Sequence, residues 1–185
     1  MQPLIPTMWR TCRVLANPQR LRSLWQIGIH PGQCVSDIAK ATKQRIGVAS
    51  QYLRDLQSRG LIEVRRRSRW TFYAPVADPS VGHAAVMLAA AQRAISHEKY
   101  PFSAATAVFA AFAHPRRLQI VRFLYMCRAA GLTAIGRNTG ISERALLRHL
   151  QVLIDAQVVI AEDRKWRLSA PATPLVTMLV RESCR

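Results

Sequence analysis

The string Ala16-Asn17-Pro18-Gln19-Arg20-Leu21 recurs, 97 residues further on, as Ala113-His114-Pro115-Arg116-Arg117-Leu118. Held without a gap from Leu15 to Ile62, that offset gives eight identities in 48 positions: Ala16, Pro18, Arg20, Leu21, Ile38, Thr42, Leu53 and Leu56. Their placement gives them weight, because Ile38, Leu53 and Leu56 meet Ile135, Leu150 and Leu153 at the spacing of a helical core face. Further on the offset falls to 96, where Trp70 meets Trp166 and Ala74-Pro75 meets Ala170-Pro171, which puts one lost residue at a hairpin tip. A chain of 185 residues has room for two small domains with cores of their own, so it reads as one unit written twice.

Within each unit the signals come in the same order. Asn17-Pro18 and His114-Pro115 are helix starts, with proline at the first helical position, where its missing N–H costs nothing. These helices run to about Ile29 and Met126, and a short second helix begins near Ser36 or Thr133, each a candidate cap. A tight turn leads to a third helix over roughly 45–59 and 142–156. The period then changes. Leu61-Ile62-Glu63-Val64 and Trp70-Thr71-Phe72-Tyr73 flank Arg65-Arg66-Arg67-Ser68-Arg69, while Val158-Val159-Ile160 and Trp166-Arg167-Leu168 flank a shorter charged tip. Apolar β-formers on both sides of a polar tip spell a hairpin. The predicted fold is therefore mainly α with small β-hairpin wings: two tandem winged helix-turn-helix domains, at 1–80 and 101–185, with a connecting helix in 81–100. The Ala-, Met- and Leu-rich stretch 81–99 is matched by 173–182 at the end of the second copy, and both are candidates for holding the copies together.

Charge narrows the partner. The 27 Lys and Arg residues against 10 Asp and Glu give a net +17, and 23 of the 27 are Arg, whose planar fork suits phosphate and the guanine edge. Residues 1–75 carry +10 and residues 111–185 carry +7, while the segment between nets zero. A polyanion is implied. No apolar run approaches the ~20 residues of a membrane helix, and the N-terminus lacks the charged start and long apolar core of a secretory signal. Cys12, Cys34, Cys127 and Cys184 lack Cys-x-x-Cys spacing and read as free thiols of a cytoplasmic protein. No phosphate-binding glycine loop, catalytic carboxylate pair or nucleophile elbow stands in the chain, and the five histidines form no ligand cluster, so neither an enzyme nor a cofactor is expected.

The string Leu15-Ala16-Asn17-Pro18-Gln19-Arg20-Leu21-Arg22-Ser23-Leu24 resembles the opening of arsenical-resistance-repressor (ArsR-type) winged helix proteins. The resemblance continues through Val35-Ser36-Asp37-Ile38-Ala39, Ser50-Gln51-Tyr52-Leu53-Arg54-Asp55-Leu56 and Gly60-Leu61-Ile62. In the second copy, the run from Thr139-Gly140-Ile141-Ser142 through Glu143-Arg144-Ala145-Leu146-Leu147-Arg148-His149-Leu150 fits the helix-turn-helix core more closely. The resemblance implies a sequence-specific regulator of transcription, a repressor in the usual case, that binds duplex DNA as a homodimer. Two fused copies could instead form a pseudo-dimer within one chain, and the sequence does not choose between them.

On such a motif the start of the third helix enters the major groove. Ala49, Leu53 and Leu56 must face the core, which leaves Arg45, Ile46, Gly47, Ser50, Gln51 and Arg54 outward; Gln51 suits adenine and Arg45 guanine. The wing arginines Arg65, Arg66, Arg67 and Arg69 are candidates for the phosphate backbone or minor groove. The second copy offers Ser142, Arg144, Arg148, His149, Arg164 and Lys165, a weaker set, because Leu147 stands where Ser50 does and its tip carries Glu162 and Asp163. Where the second copy has Gly140-Ile141-Ser142, a turn glycine, an apolar anchor and a cap, the first has Lys43-Gln44-Arg45. That predicts a distorted first turn, with Ile46 as the substitute anchor.

Family members that sense metals carry a Cys-Val-Cys string, and Cys34-Val35-Ser36 keeps one thiol of the pair. His83, His97 and Glu98 lie in the region of the family's other metal site with the wrong spacing. Metal sensing is not expected, and the effector is left open by the sequence. Tandem winged helices also serve as plasmid replication initiators and as protein-binding adaptors; the net +17 argues against the adaptor, while initiator and architectural roles share the basic charge.

Overall fold

The computed structural model describes residues 7–96, 102–170 and 173–185. The first copy comprises α1 (Met8–Leu15), α2 (Pro18–Ile29), β1 (Gln33–Cys34), α3 (Val35–Ala41), α4 (Ile46–Gln57), β2 (Glu63–Arg67), β3 (Trp70–Ala74) and α5 (Ala84–Ser96). The second repeats the same eight in order: α6 (Phe102–Phe112), α7 (Pro115–Cys127), β4 (Ala129–Gly131), α8 (Leu132–Thr139), α9 (Glu143–Asp155), β5 (Val159–Glu162), β6 (Lys165–Leu168) and α10 (Pro174–Ser183). The chain is mainly helical, with two three-stranded antiparallel sheets ordered β1-β3-β2 and β4-β6-β5. Among the described residues no helix is long and apolar enough to cross a membrane. The helices α1 and α6, and the third strand of each sheet, go beyond the expected order, because strands of two or three residues are too short to show a period. The stretch 81–99 forms α5 up to Ser96, and its last residues lie outside the described ones.

Local chemistry explains the starts. Asn17 Oδ1 accepts from the Gln19 and Arg20 amides at 2.9 and 3.0 Å, and His114 Nδ1 accepts from the Arg116 amide at 3.1 Å. Each cap precedes a proline at the first helical position, as the sequence predicts. The second helices correct the expectation. They begin one residue earlier, so Ser36 and Thr133 lie inside them and the caps are Cys34 and Gly131. Asp37 Oδ2 accepts from the Cys34 amide at 3.2 Å and its thiol at 2.9 Å, which fastens the start of α3.

The expectation for the turns α3–α4 and α8–α9 is also corrected. Gly140 adopts φ +64°, and Lys43 adopts nearly the same φ, +54°, so the first turn keeps the left-handed step rather than abandoning it. Ile141 is buried, 3% exposed, as the apolar anchor of the second turn. Ile46 does not replace it in the first, being 57% exposed. Gln44 occupies the anchor position half-buried, its amide donating to the Gln19 carbonyl at 3.3 Å and to Ser23 Oγ at 3.2 Å. A polar tether has taken the place of an apolar plug. Ser142 stands at the N-cap position of α9 without a side-chain capping bond.

Strand registers revise the repeat alignment. Cys34 and Gly131, at the 97-residue offset, pair with Phe72 and Lys165, whose offset is 93. Four residues, rather than one, have therefore left the second hairpin, and Trp166 is the counterpart of Tyr73, not of Trp70. The rungs Arg66↔Thr71 and Arg67↔Trp70 have no counterpart in the second copy.

Packing joins the copies through equivalent elements. α1 packs on α6 and α5 packs on α10, so like meets like, the signature of a twofold-related pair. Buried side chains of both copies form one continuous core that includes Cys12, Leu15, Met87, Phe109, Phe112 and Leu179. α6 is its hub. Apolar almost all round, it touches α1, α2, α5, α7 and α10, as a helix without a polar face must. Phe102 meets Trp25 of α2 edge-on at 6.1 Å, with the Arg22 guanidinium 5.9 Å from its ring centre. Arg117 closes the end of α6 by donating to the Ala110 and Ala111 carbonyls, both at 2.6 Å, and Arg122 does the same for Ser183 of α10.

Lys43 and Gly140 give a paired stability test. A left-handed residue with a Cβ costs ~1–2 kcal/mol, partly offset by the greater chain entropy of glycine. Lys43→Gly is expected to raise the urea midpoint by the equivalent of up to ~1 kcal/mol, and Gly140→Ala to lower it by a similar amount.

Candidate nucleic-acid interface

The third helix of each copy is anchored by one apolar face. Ala49, Leu53 and Leu56 of α4 are fully buried, as are Leu146, Leu150 and Leu153 of α9. This leaves Arg45, Gly47, Gln51 and Arg54 exposed on the first copy and Ser50 half-buried. Ile46 and Val48 are exposed with them, an apolar pair on the face expected to meet base edges. Gly47 has open space where a Cβ would stand.

A polar chain organises the α4 surface. Arg54 Nη2 donates to Gln51 Oε1 at 2.9 Å, and Gln51 Nε2 donates to Asp55 Oδ1 at 3.0 Å. Asp55 Oδ2 in turn meets Arg20 Nη2 at 2.9 Å, and that guanidinium lies 5.3 Å from the centre of the Tyr52 ring. Gln51 is thus pre-oriented rather than free. Exposed pairs of this kind on a helix are worth only ~0.2–0.5 kcal/mol each, so a better partner can displace them. Arg20, Tyr52 and Asp55 escaped the sequence reading because the link between α2 and α4 is tertiary.

The β2–β3 hairpin distributes its arginines. Arg65 to Arg67 belong to β2, and the tip is only Ser68-Arg69, with Ser68 at φ +53°. Successive strand residues face opposite sides, so Arg65 and Arg67 share a face with Phe72 and Trp70, and Arg66 shares the other with Thr71. Arg65 Nε pairs with Glu63 Oε2 at 3.0 Å, so one of the four cations already has a partner. Arg66, Arg67 and Arg69 stay exposed, and Arg69 lies 5.7 Å from the centre of the Trp70 ring, itself 49% exposed. Trp70, read from sequence only as a strand residue, brings a flat aromatic surface to the cationic end of the hairpin.

The second copy has the shorter hairpin. Its tip, Asp163-Arg164, has φ of +48° and +60°, the conformation of a tight two-residue hairpin turn. Glu162 accepts two bonds from Arg167, both at 3.0 Å, and faces Lys165 across the ladder, so this acid is neutralised. Arg144, Arg148, Arg164 and Lys165 are exposed, together with Ser142 and Leu147, the last 45% exposed. His149 is instead half-buried with its ring 4.8 Å from that of His114, which takes it into the packing of α7 on α9.

Cys34 is buried with its thiol 2.9 Å from both Asp37 and Ser36, and His83 Nε2 lies 3.0 Å from Thr11 Oγ1. His97 and Glu98 lie outside the described residues. Among the described residues no group of three or more His, Cys, Asp or Glu could hold a metal ion. Cys12 is buried and its thiol pushed far up by desolvation, so it packs as a small apolar group. No protein-family model matches the chain, and comparison with curated proteins and with solved structures finds no significant match.

Burial, followed by the charge of nearby arginines, holds His114 below the ordinary imidazole range; burial, then His114 and the arginines, does the same to His149. The folded state therefore resists their protonation while the unfolded chain accepts it. Their contribution to stability is complete above ~6.5, the unfolded value, and is lost as pH falls through that value toward the folded one. The melting temperature is expected to drop between about pH 7 and 5, and to drop less in His149→Gln, by circular dichroism at matched ionic strength.

Proposed function

We propose that the chain is a sequence-specific duplex-DNA-binding regulator of transcription, built from two ArsR-type winged helix-turn-helix domains that act as a pseudo-dimer within one chain. The observation that carries this reading is the pairing of like with like, α1 on α6 and α5 on α10, which leaves both α4 and α9 with an exposed face. Two copies related in this way suit two half-sites of a near-palindrome. A net +17 supplies the attraction to a polyanion.

The two copies contribute unequally in this proposal. The first adds a hairpin two rungs longer that carries Arg66, Arg67 and Arg69, and an α4 face with Gln51 and Arg45 for base edges. The second offers Arg144 and Arg148 beside an apolar Leu147, with a tip that contains Asp163. Phosphate contact then comes mainly from the first wing and base choice mainly from α4. Repression by occupying a promoter is the mode the resemblance implies.

Selection of bound duplexes from a random pool, with stoichiometry measured, tests the proposal directly. One chain on one near-palindrome is expected; a protein that selects no sequence, or binds no duplex, overturns it. Affinity should fall linearly on a logarithmic salt axis, with slope about −0.9 per phosphate neutralised, and Arg66, Arg67 and Arg69 changed together to Ala should make it shallower by about three phosphates for every sequence. Arg65→Ala, which frees Glu63, should matter less. Gly47→Ala carries opposite signs in two assays. Alanine is the better helix former by ~1 kcal/mol and has room in the free protein, yet its methyl would stand on the face that approaches DNA. Higher thermal stability with weaker operator binding is expected; unchanged binding would remove the start of α4 from the interface.

A further inference from the structure

In the second copy, α7, β6 and α10 line an open pocket of about 390 Å³, the size class of small-ligand sites. Its floor is apolar, from Leu124, Val158, Leu168 and Val176, and three arginines line it: Arg128, Arg167 and Arg181. Arg167 is committed to Glu162 by two bonds at 3.0 Å. Arg128 and Arg181 have no acidic partner among the described residues. An apolar pocket carrying uncompensated positive charge is complementary to a ligand with an apolar body and a single anionic group.

The backbone at Arg128 adds a separate observation. This residue ends α7 at φ +70°, ψ −50°, close to the strained γ-turn region that L-residues rarely occupy. Such a conformation is strained, and residues that hold it gather at ligand sites. Glycine would take it without strain. The arginine side chain, present where glycine would be cheaper, sits on the cavity wall. The matching position of the first copy is Pro31, and α2 there ends on His30 at φ −133°. The arrangement belongs to the second copy, the one with the shorter hairpin and the mixed-charge tip.

We infer that this cavity is a binding site for a small amphipathic organic anion, a carboxylate on a compact hydrocarbon frame, with the frame on Leu124, Leu168 and Val176 and the carboxylate between Arg128 and Arg181. The site requires no DNA and stands whether or not the chain is a regulator.

Titration calorimetry and thermal melting of the full chain, without DNA, test it with octanoate as the probe. Octanol supplies the same body without charge, and inorganic phosphate supplies charge without the body. Saturable binding of one octanoate per chain, with a raised melting temperature, is expected, and both controls should bind at least ten-fold more weakly. Arg128→Gly should retain or increase the melting temperature and weaken octanoate at least ten-fold. Thr177→Trp, which fills the cavity from α10, should abolish binding and decides the matter if the glycine variant does not fold. Equal binding of phosphate or octanol, no saturation up to millimolar octanoate, or affinity unchanged in both variants would overturn the assignment.

Discussion

Everything else in this molecule hangs on the burial of four helices that neither copy can bury alone. α1, α5, α6 and α10 flank the two repeats and carry more apolar surface than their own copies cover. Each finds its cover on its counterpart from the other copy, α1 on α6 and α5 on α10. A fully buried Phe or Leu contributes roughly 1.5–3 kcal/mol, and Leu15, Phe109, Phe112 and Leu179 are all fully buried in this shared region. The two copies are therefore held as a pair by their hydrophobic core, and the exposed faces of α4 and α9 are fixed relative to one another by the same contacts.

That pairing removes the need for two identical halves. A homodimer must repeat each feature twice, whereas a fused pair can specialise. The hairpin of the first copy is two rungs longer and concentrates arginine; that of the second is shorter and neutralises Glu162 with Arg167. At the turn before α4 and before α9 the copies also diverge. The second uses Gly140 and the apolar plug Ile141, and the first sustains the same backbone step with Lys43 and a Gln44 tether. Strain at Lys43 and Arg128, positions where glycine would be easier, marks places where a side chain has been kept against the conformational preference of the backbone.

Much of the architecture was legible in one dimension. Asn17-Pro18 and His114-Pro115 cap their helices through local geometry alone, and the core faces of α4 and α9 follow from apolar spacing, so both held in three dimensions. Readings that depended on partners far along the chain did not. Ile46 looked like an anchor because it is apolar and well placed in sequence, yet Gln19 and Ser23 of α2 hold Gln44 in that position. Trp70 and Trp166 aligned by identity, but strand register pairs Trp166 with the role of Tyr73. His149 looked available on its helix until the ring of His114 covered it.

The sequence by itself determined the repeat, the three central helices and the hairpin of each copy, the net charge of +17 and the residues of α4 and α9 that must face inward, because each depends on neighbours within a few positions or on composition. Tertiary structure alone decided how the two copies meet, which arginines are already paired and where a cavity forms between α7, β6 and α10. The meeting of the copies and the cavity depend on elements far apart in the chain, α1 with α6 and α7 with α10, and the ion pairs on side-chain geometry within the hairpins; local periodicity carries no information about which surface a buried face or a charge will find.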